Sequence, residues 1–215
     1  MSARPRYAGP TADDGEPRLF VAALLPESAA AVVRELVDAI QADVAVQARA
    51  PRSAVRWVRL DGLHLTLRFL GPTPDERVPE LAAAVDRAAA GRDPIGLVLR
   101  GAGAFPSPAR PRAVWIGVDD PMEELARLAA AVEDELAAMG WERNDRPFHP
   151  HLTLARCDGR REGPLVADLL ATRARTLDAP FEVGRVGLFE SVTGGGPARY
   201  VPRHEARLDG SAVAS

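Results

Sequence analysis

His64-Leu65-Thr66-Leu67 returns letter for letter as His151-Leu152-Thr153-Leu154, 87 residues further along the chain. The protein has four histidines, and two of them head this tetrapeptide. From ordinary residue frequencies, chance repetition has a probability on the order of one in a few hundred. Side chains of a strand alternate faces, so His and Thr project together while both leucines turn into a core. Each copy therefore offers one imidazole and one hydroxyl from a rigid, half-buried strand.

The surroundings of the two copies repeat as well. Residues 19–25 read as a strand, and Pro26-Glu27 opens a helix with Val32, Val33, Leu36, Val37 and Ile40 on one face. Strands follow at 55–59 and 63–70, then a helix over 78–90 closed by Gly91, then a strand at 95–99. A second pass starts with a strand at 113–118. Asp120 is the expected N-cap and Pro121 the first helical position, with Leu125, Leu128, Val132, Leu136 and Met139 buried. Strands at 149–155 and 181–189, a short helix at 164–174 and a last strand at 199–208 complete it. The expected fold class is α+β: a duplicated two-lobe fold, antiparallel sheets lining a central cleft, helices on the outer faces. The repeats span about 19–104 and 112–190, within one bilobal domain at 18–208. Residues 1–17 and 209–215 are expected to be tails.

Composition removes several alternatives. Of 215 residues, 47% are hydrophobic, and 27 basic against 30 acidic residues give a net charge of −3. That balance lacks the cationic surplus of a protein that grips long duplexes, but a few arginines suffice to hold the last nucleotide or two. All the basic residues are arginine, so Schiff-base, P-loop-lysine and nucleotidyl-lysine chemistry are excluded. A single Cys157 forms no internal disulfide and fits the reducing cytoplasm. The apolar run at 19–25 is far shorter than the roughly 20 residues of a membrane span, so no membrane association is expected.

Two histidines can divide acid and base work, and two hydroxyls can donate to the non-bridging oxygens of a phosphoryl group. The natural reaction is in-line attack of water on a phosphodiester, with a proton supplied to the leaving alkoxide. It needs neither a metal nor another cofactor.

On these residues the sequence resembles the 2H phosphoesterases, specifically the bacterial RNA 2′,3′-cyclic phosphodiesterases, also called 2′-5′ RNA ligases. The resemblance covers nearly all of 18–208. It runs through Arg18-Leu19-Phe20-Val21-Ala22, Trp57-Val58, the stretch from His64 to Gly71, the stretch from Asn144 to Arg156, and the Tyr200 strand. It implies hydrolysis of RNA 2′,3′-cyclic phosphate ends to 2′-phosphates, without metal. His64 would be the proton donor to the 3′ oxygen, His151 the proton acceptor from water, and Thr66 and Thr153 the phosphate holders. Only the resemblance sets that direction, since the repeat itself is symmetric. Some members also join 2′-5′ ends in the reverse sense. The expected partners are RNA 3′ ends carrying the cyclic phosphate, such as tRNA fragments, or small cyclic nucleotides, met by a cytoplasmic monomer. Rival readings are a cyclic phosphodiesterase for a small nucleotide, such as ADP-ribose cyclic phosphate, and a non-catalytic RNA-end-binding module.

Further candidates surround the pairs. Arg68 shares the face of His64 and Thr66 by parity. Arg156 falls on the face opposite His151 by strict alternation, so reaching the cleft requires a bend or bulge near the strand end; otherwise it makes a surface ion pair. Arg146 could contact phosphate or cap nearby carbonyls. Phe148 and Trp57 could stack on a base, with core packing expected of Trp57, and Tyr200 is a rim candidate. His149 shares a face with His151, but without a third ligand it reads as a structural hydrogen-bonding group. His204 is expected at the surface.

Overall fold

The computed structural model describes residues 15–47, 55–157, 162–194 and 197–210. Most of both expected tails, and Gly195 and Gly196 of the last turn, lie outside them. Strand β1 (Arg18–Leu24) is followed by helix α1 (Glu27–Gln47), strands β2 (Val55–Trp57) and β3 (His64–Pro72), helix α2 (Val78–Ala89) and strand β4 (Ile95–Phe105). The second pass gives β5 (Ala113–Asp119), α3 (Glu124–Ala138), β6 (His151–Cys157), α4 (Glu162–Arg173), β7 (Ala179–Val183), β8 (Arg185–Val192) and β9 (Arg199–Arg207).

The strands form two antiparallel sheets, β3-β1-β8-β9 and β2-β6-β5-β4-β7. In each, the motif strand lies beside the first strand of its own pass, β3 on β1 and β6 on β5. The other flank is exchanged: β4 of the first pass pairs with β5, and β8 of the second pairs with β1. Each sheet is thus built from both repeats, which ties the lobes into one unit. The helices cross over similarly, α1 packing toward β7 and α4, and α3 toward β3 and α2.

The core follows the alternation of the motifs. Leu65, Leu67, Leu152 and Leu154 are buried against Val33, Val37 and Ile40 of α1 and Leu125, Leu128, Val132 and Leu136 of α3 in one continuous cluster. Burying each such side chain stabilises the fold by about 1.5–3 kcal/mol.

Two expectations need adjustment. The strand expected over 181–189 is two strands divided at Gly184. Pro121 does not begin α3, which starts at Glu124 after Glu123 adopts a left-handed φ of 55°. Asp120 still caps it, its carboxylate oxygens accepting from the Glu124 and Ala126 N–H groups at 2.9 Å each. No helix among the described residues is long and apolar enough to cross a membrane.

Candidate functional site

The two histidines are held in the same way. The Nδ1–H of His64 donates to the Gly62 carbonyl at 2.7 Å, and that of His151 to the His149 carbonyl at 2.7 Å. A carbonyl only accepts, so Nδ1 carries a proton and Nε2 is the working nitrogen in both rings. His149 contributes through its backbone; its ring stands 6.4 Å from Trp115.

The packing of the two rings differs. His64 lies 4.8 Å from Phe20 and edge-on to Tyr200 at 4.6 Å. Burial among these rings pushes the His64 imidazole below its usual pKa, partly offset by the Gly62 hydrogen bond. Gly62 lets Tyr200 come close, since a Cβ there would stand 3.1 Å from the tyrosine ring. His151 meets Phe105 edge-on at 5.3 Å and Trp115 at 5.8 Å. Trp115 lies over Gly103, where a Cβ would fall 2.3 Å from the indole.

A bulge at equivalent places in β3 and β6 decides which residues join the histidines. In β3, Thr66 pairs with Ala22 but Arg68 with Val21, so Leu67 is the extra residue. In β6, Thr153 pairs with Trp115 but Ala155 with Val114, so Leu154 is the extra residue. Beyond each bulge the parity inverts. Arg156 comes to the face of His151 and Thr153, opposite Ala113; of the bend or bulge that strict alternation required of it, the strand has a bulge.

Arg68 moves the other way, which corrects the face read from its even number. It turns toward α3, donating to the Glu142 carbonyl and lying 3.3 Å from the Glu133 carboxylate. Phe69 takes its place opposite Phe20, 65% exposed and 6.0 Å from the Phe20 ring. The sequence reading passed over Phe69. Its signal was its position, since Phe69 and Arg156 each stand five residues after a motif histidine.

The remaining candidates separate. Tyr200 sits against His64, and burial raises its phenol pKa while the Arg156 charge acts to lower it. A residue of one sheet thus feels a charge of the other, and β3 and β6 approach each other where the sheets meet. Phe148 packs against the core and lines a hollow with Asp120, Pro121 and Pro150, so it is not placed as a base platform. Trp57 packs on the core, as expected. Arg146 is exposed, and its backbone N–H donates to Asn144 Oδ1 at 3.3 Å. His204 is part-buried rather than free, its Nε2 lying 2.7 Å from Asp86 Oδ1. Among the described residues no three His, Cys, Asp or Glu side chains gather as a metal-ligand set.

Two strand-borne His-x-Thr pairs, one on each sheet of an exchanged α+β repeat and each ring tethered through Nδ1, define a two-histidine protein of duplicated fold. The chain belongs to the 2′-5′ RNA ligase superfamily, whose family model matches residues 25–195. It is 38% identical over 139 residues to the RNA 2′,3′-cyclic phosphodiesterase of Aeropyrum pernix, covering 64% of this chain and 77% of that protein. It is 34% identical over 175 residues to the protein of the same name from Archaeoglobus fulgidus, covering 81% and 91%. Among solved structures, Escherichia coli LigT complexed with 3′-AMP superposes with a TM-score of 0.65 at 30% identity, covering 90% of this chain and 98% of that one.

Proposed function

We propose that this chain hydrolyses 2′,3′-cyclic phosphates at RNA 3′ ends to 2′-phosphomonoesters, with His64 and His151 as acid and base and without a metal ion. The observation that carries this reading is the matched tethering of both Nδ1 atoms to carbonyls two residues back, which leaves both Nε2 atoms for proton transfer. The names of the two curated relatives and the 3′-AMP bound by LigT support the substrate class.

The step balances on these groups. His151 Nε2 takes a proton from water as its oxygen bonds to phosphorus, and the P–O3′ bond breaks. His64 Nε2–H gives its proton to O3′, leaving a 2′-phosphate and a 3′-hydroxyl. Thr66 and Thr153 donate to the non-bridging oxygens, and the Arg156 guanidinium balances the charge they carry. Burial disfavours the His64 imidazolium, and a bound phosphate anion favours it. Phe69 offers its exposed ring to the terminal base. An RNA 5′-hydroxyl in the place of water would open the cyclic phosphate in the same way, with O3′ leaving, and give a 2′-5′ junction. The reading extends to a monomer working in the cytoplasm, where a lone Cys157 stays reduced.

An oligonucleotide ending in a 2′,3′-cyclic phosphate, incubated with the protein in EDTA, tests this directly. The expected product is the 2′-phosphate, formed at an undiminished rate. A 3′-phosphate product, or loss of turnover in chelator, would overturn it.

A further inference from the structure

Arg56 stands directly opposite Arg156 in the pairing of β2 with β6. Residues directly opposite in an antiparallel pair share a face, so Arg56 shares the face of His151 and Thr153. Like charges so placed repel each other. Across β6 the row continues through Ala113 to Phe105, with no acidic residue in it. Neither guanidinium has a carboxylate partner among the described residues, whereas Arg68, Arg100, Arg173 and Arg203 each have one. Arg56 is exposed at the sheet edge, and β2 leads within seven residues to His64, so it stands where the chain crosses from one half-site to the other.

We propose that Arg56 binds a phosphate carried on the 5′ oxygen of the terminal nucleoside, beside the reacting phosphate held by Arg156. This rests on the proposed function. Two uncompensated cations side by side are balanced by two anions, and a cyclic nucleotide with a free 5′-hydroxyl supplies only one. The second comes either from the phosphodiester joining the terminal nucleotide to the rest of an RNA or from the 5′-phosphate of a small nucleotide. The pair would thus select for the 5′ phosphate, and for RNA wherever the next nucleoside adds nothing unfavourable.

The test compares kcat/KM of wild type and Arg56→Gln on three substrates with the same terminal base. These are a 2′,3′-cyclic nucleotide with a 5′-hydroxyl, its 5′-phosphorylated form, and a dinucleotide ending in the cyclic phosphate. The substitution should lower the preference for both 5′-phosphate substrates over the 5′-hydroxyl one by about tenfold, the range of a charge-assisted contact. It should also flatten the salt dependence of dinucleotide turnover by about 0.7 in the log–log slope. Loss confined to the dinucleotide assigns the contact to RNA, and loss with both places a small phosphorylated nucleotide among its ligands. Equal effects on all three substrates, or none, would overturn this inference alone. A wild-type protein inactive on all three would overturn the proposed function and this inference with it.

Discussion

Phe69 and Arg156 occupy equivalent positions on the two motif strands, each five residues after its histidine and two past a bulged leucine. Leu67 and Leu154 are buried with the residues that follow them turned to the same side, so the next residue along each strand emerges on the face of the imidazole. The two halves thereby place different chemistry at one register position, a guanidinium on the face of His151 and an aromatic ring on the face of His64. The repeat is symmetric in its His-x-Thr pairs and asymmetric in what surrounds them.

That asymmetry predicts a contrast between two arginines. Arg156→Ala should lower turnover by about 10²–10³-fold, the usual cost of a lost transition-state charge partner. Arg68→Ala should keep turnover within about threefold but destabilise the fold by about 1–3 kcal/mol, since it leaves the partly buried Glu133 without its charge partner. Steady-state rates and urea melts on both variants check this. A catalytic loss in Arg68→Ala with unchanged stability would contradict the inverted register.

The same comparison holds for the aromatics. Phe69→Ala should weaken binding of nucleotide products about tenfold, within the range for base–aromatic stacking. Phe148→Ala should cost stability and leave product affinity near wild type, because its ring packs on the core. Calorimetric titration with a 2′-nucleotide, paired with thermal melts, separates the two.

His64 and His151 should respond differently to the leaving group. Alanine at either position is expected to cost about 10²–10⁴-fold in kcat, the span of general acid–base catalysis. A substrate with sulfur in place of the bridging 3′ oxygen leaves as a thiolate and needs no proton donor. It should therefore restore much of the rate of His64→Ala and little of that of His151→Ala. Rescue of His151→Ala instead would reverse the two roles.

The pH dependence follows from the burial of His64. It must be protonated to donate, so activity falls as pH rises through its pKa, and burial moves that pKa down. The alkaline limb of kcat/KM, which reports the free enzyme, should lie below the ordinary imidazole value of about 6.5. The limb of kcat should lie higher, because the bound phosphate anion favours the imidazolium. Coincident limbs in the two profiles would show that substrate charge does not retune His64.

Much of the protein was legible from local pattern. The repeated His-Leu-Thr-Leu, with period-two alternation, set two leucines inward and the imidazole and hydroxyl outward in each copy, and the structure keeps that arrangement. Helical periodicity marked the buried faces of α1 and α3 because those faces depend only on residues a few positions apart. Asp120 was readable as a cap for the same reason.

The sequence by itself determined which side of their strands the paired imidazoles and hydroxyls leave from. Tertiary structure decided what stands beside them. Counting alternate residues assumes an unbroken ladder, but a bulge exists only relative to the strand it pairs with. For β3 that strand is β1 and for β6 it is β5, each brought in from more than thirty residues away. One extra residue in each ladder turned Arg68 away, brought Phe69 and Arg156 in, and left Arg56 facing Arg156 across a strand pair that no local pattern announces. The exchange of β4 and β8 between the repeats is equally nonlocal, and it builds each sheet from both repeats.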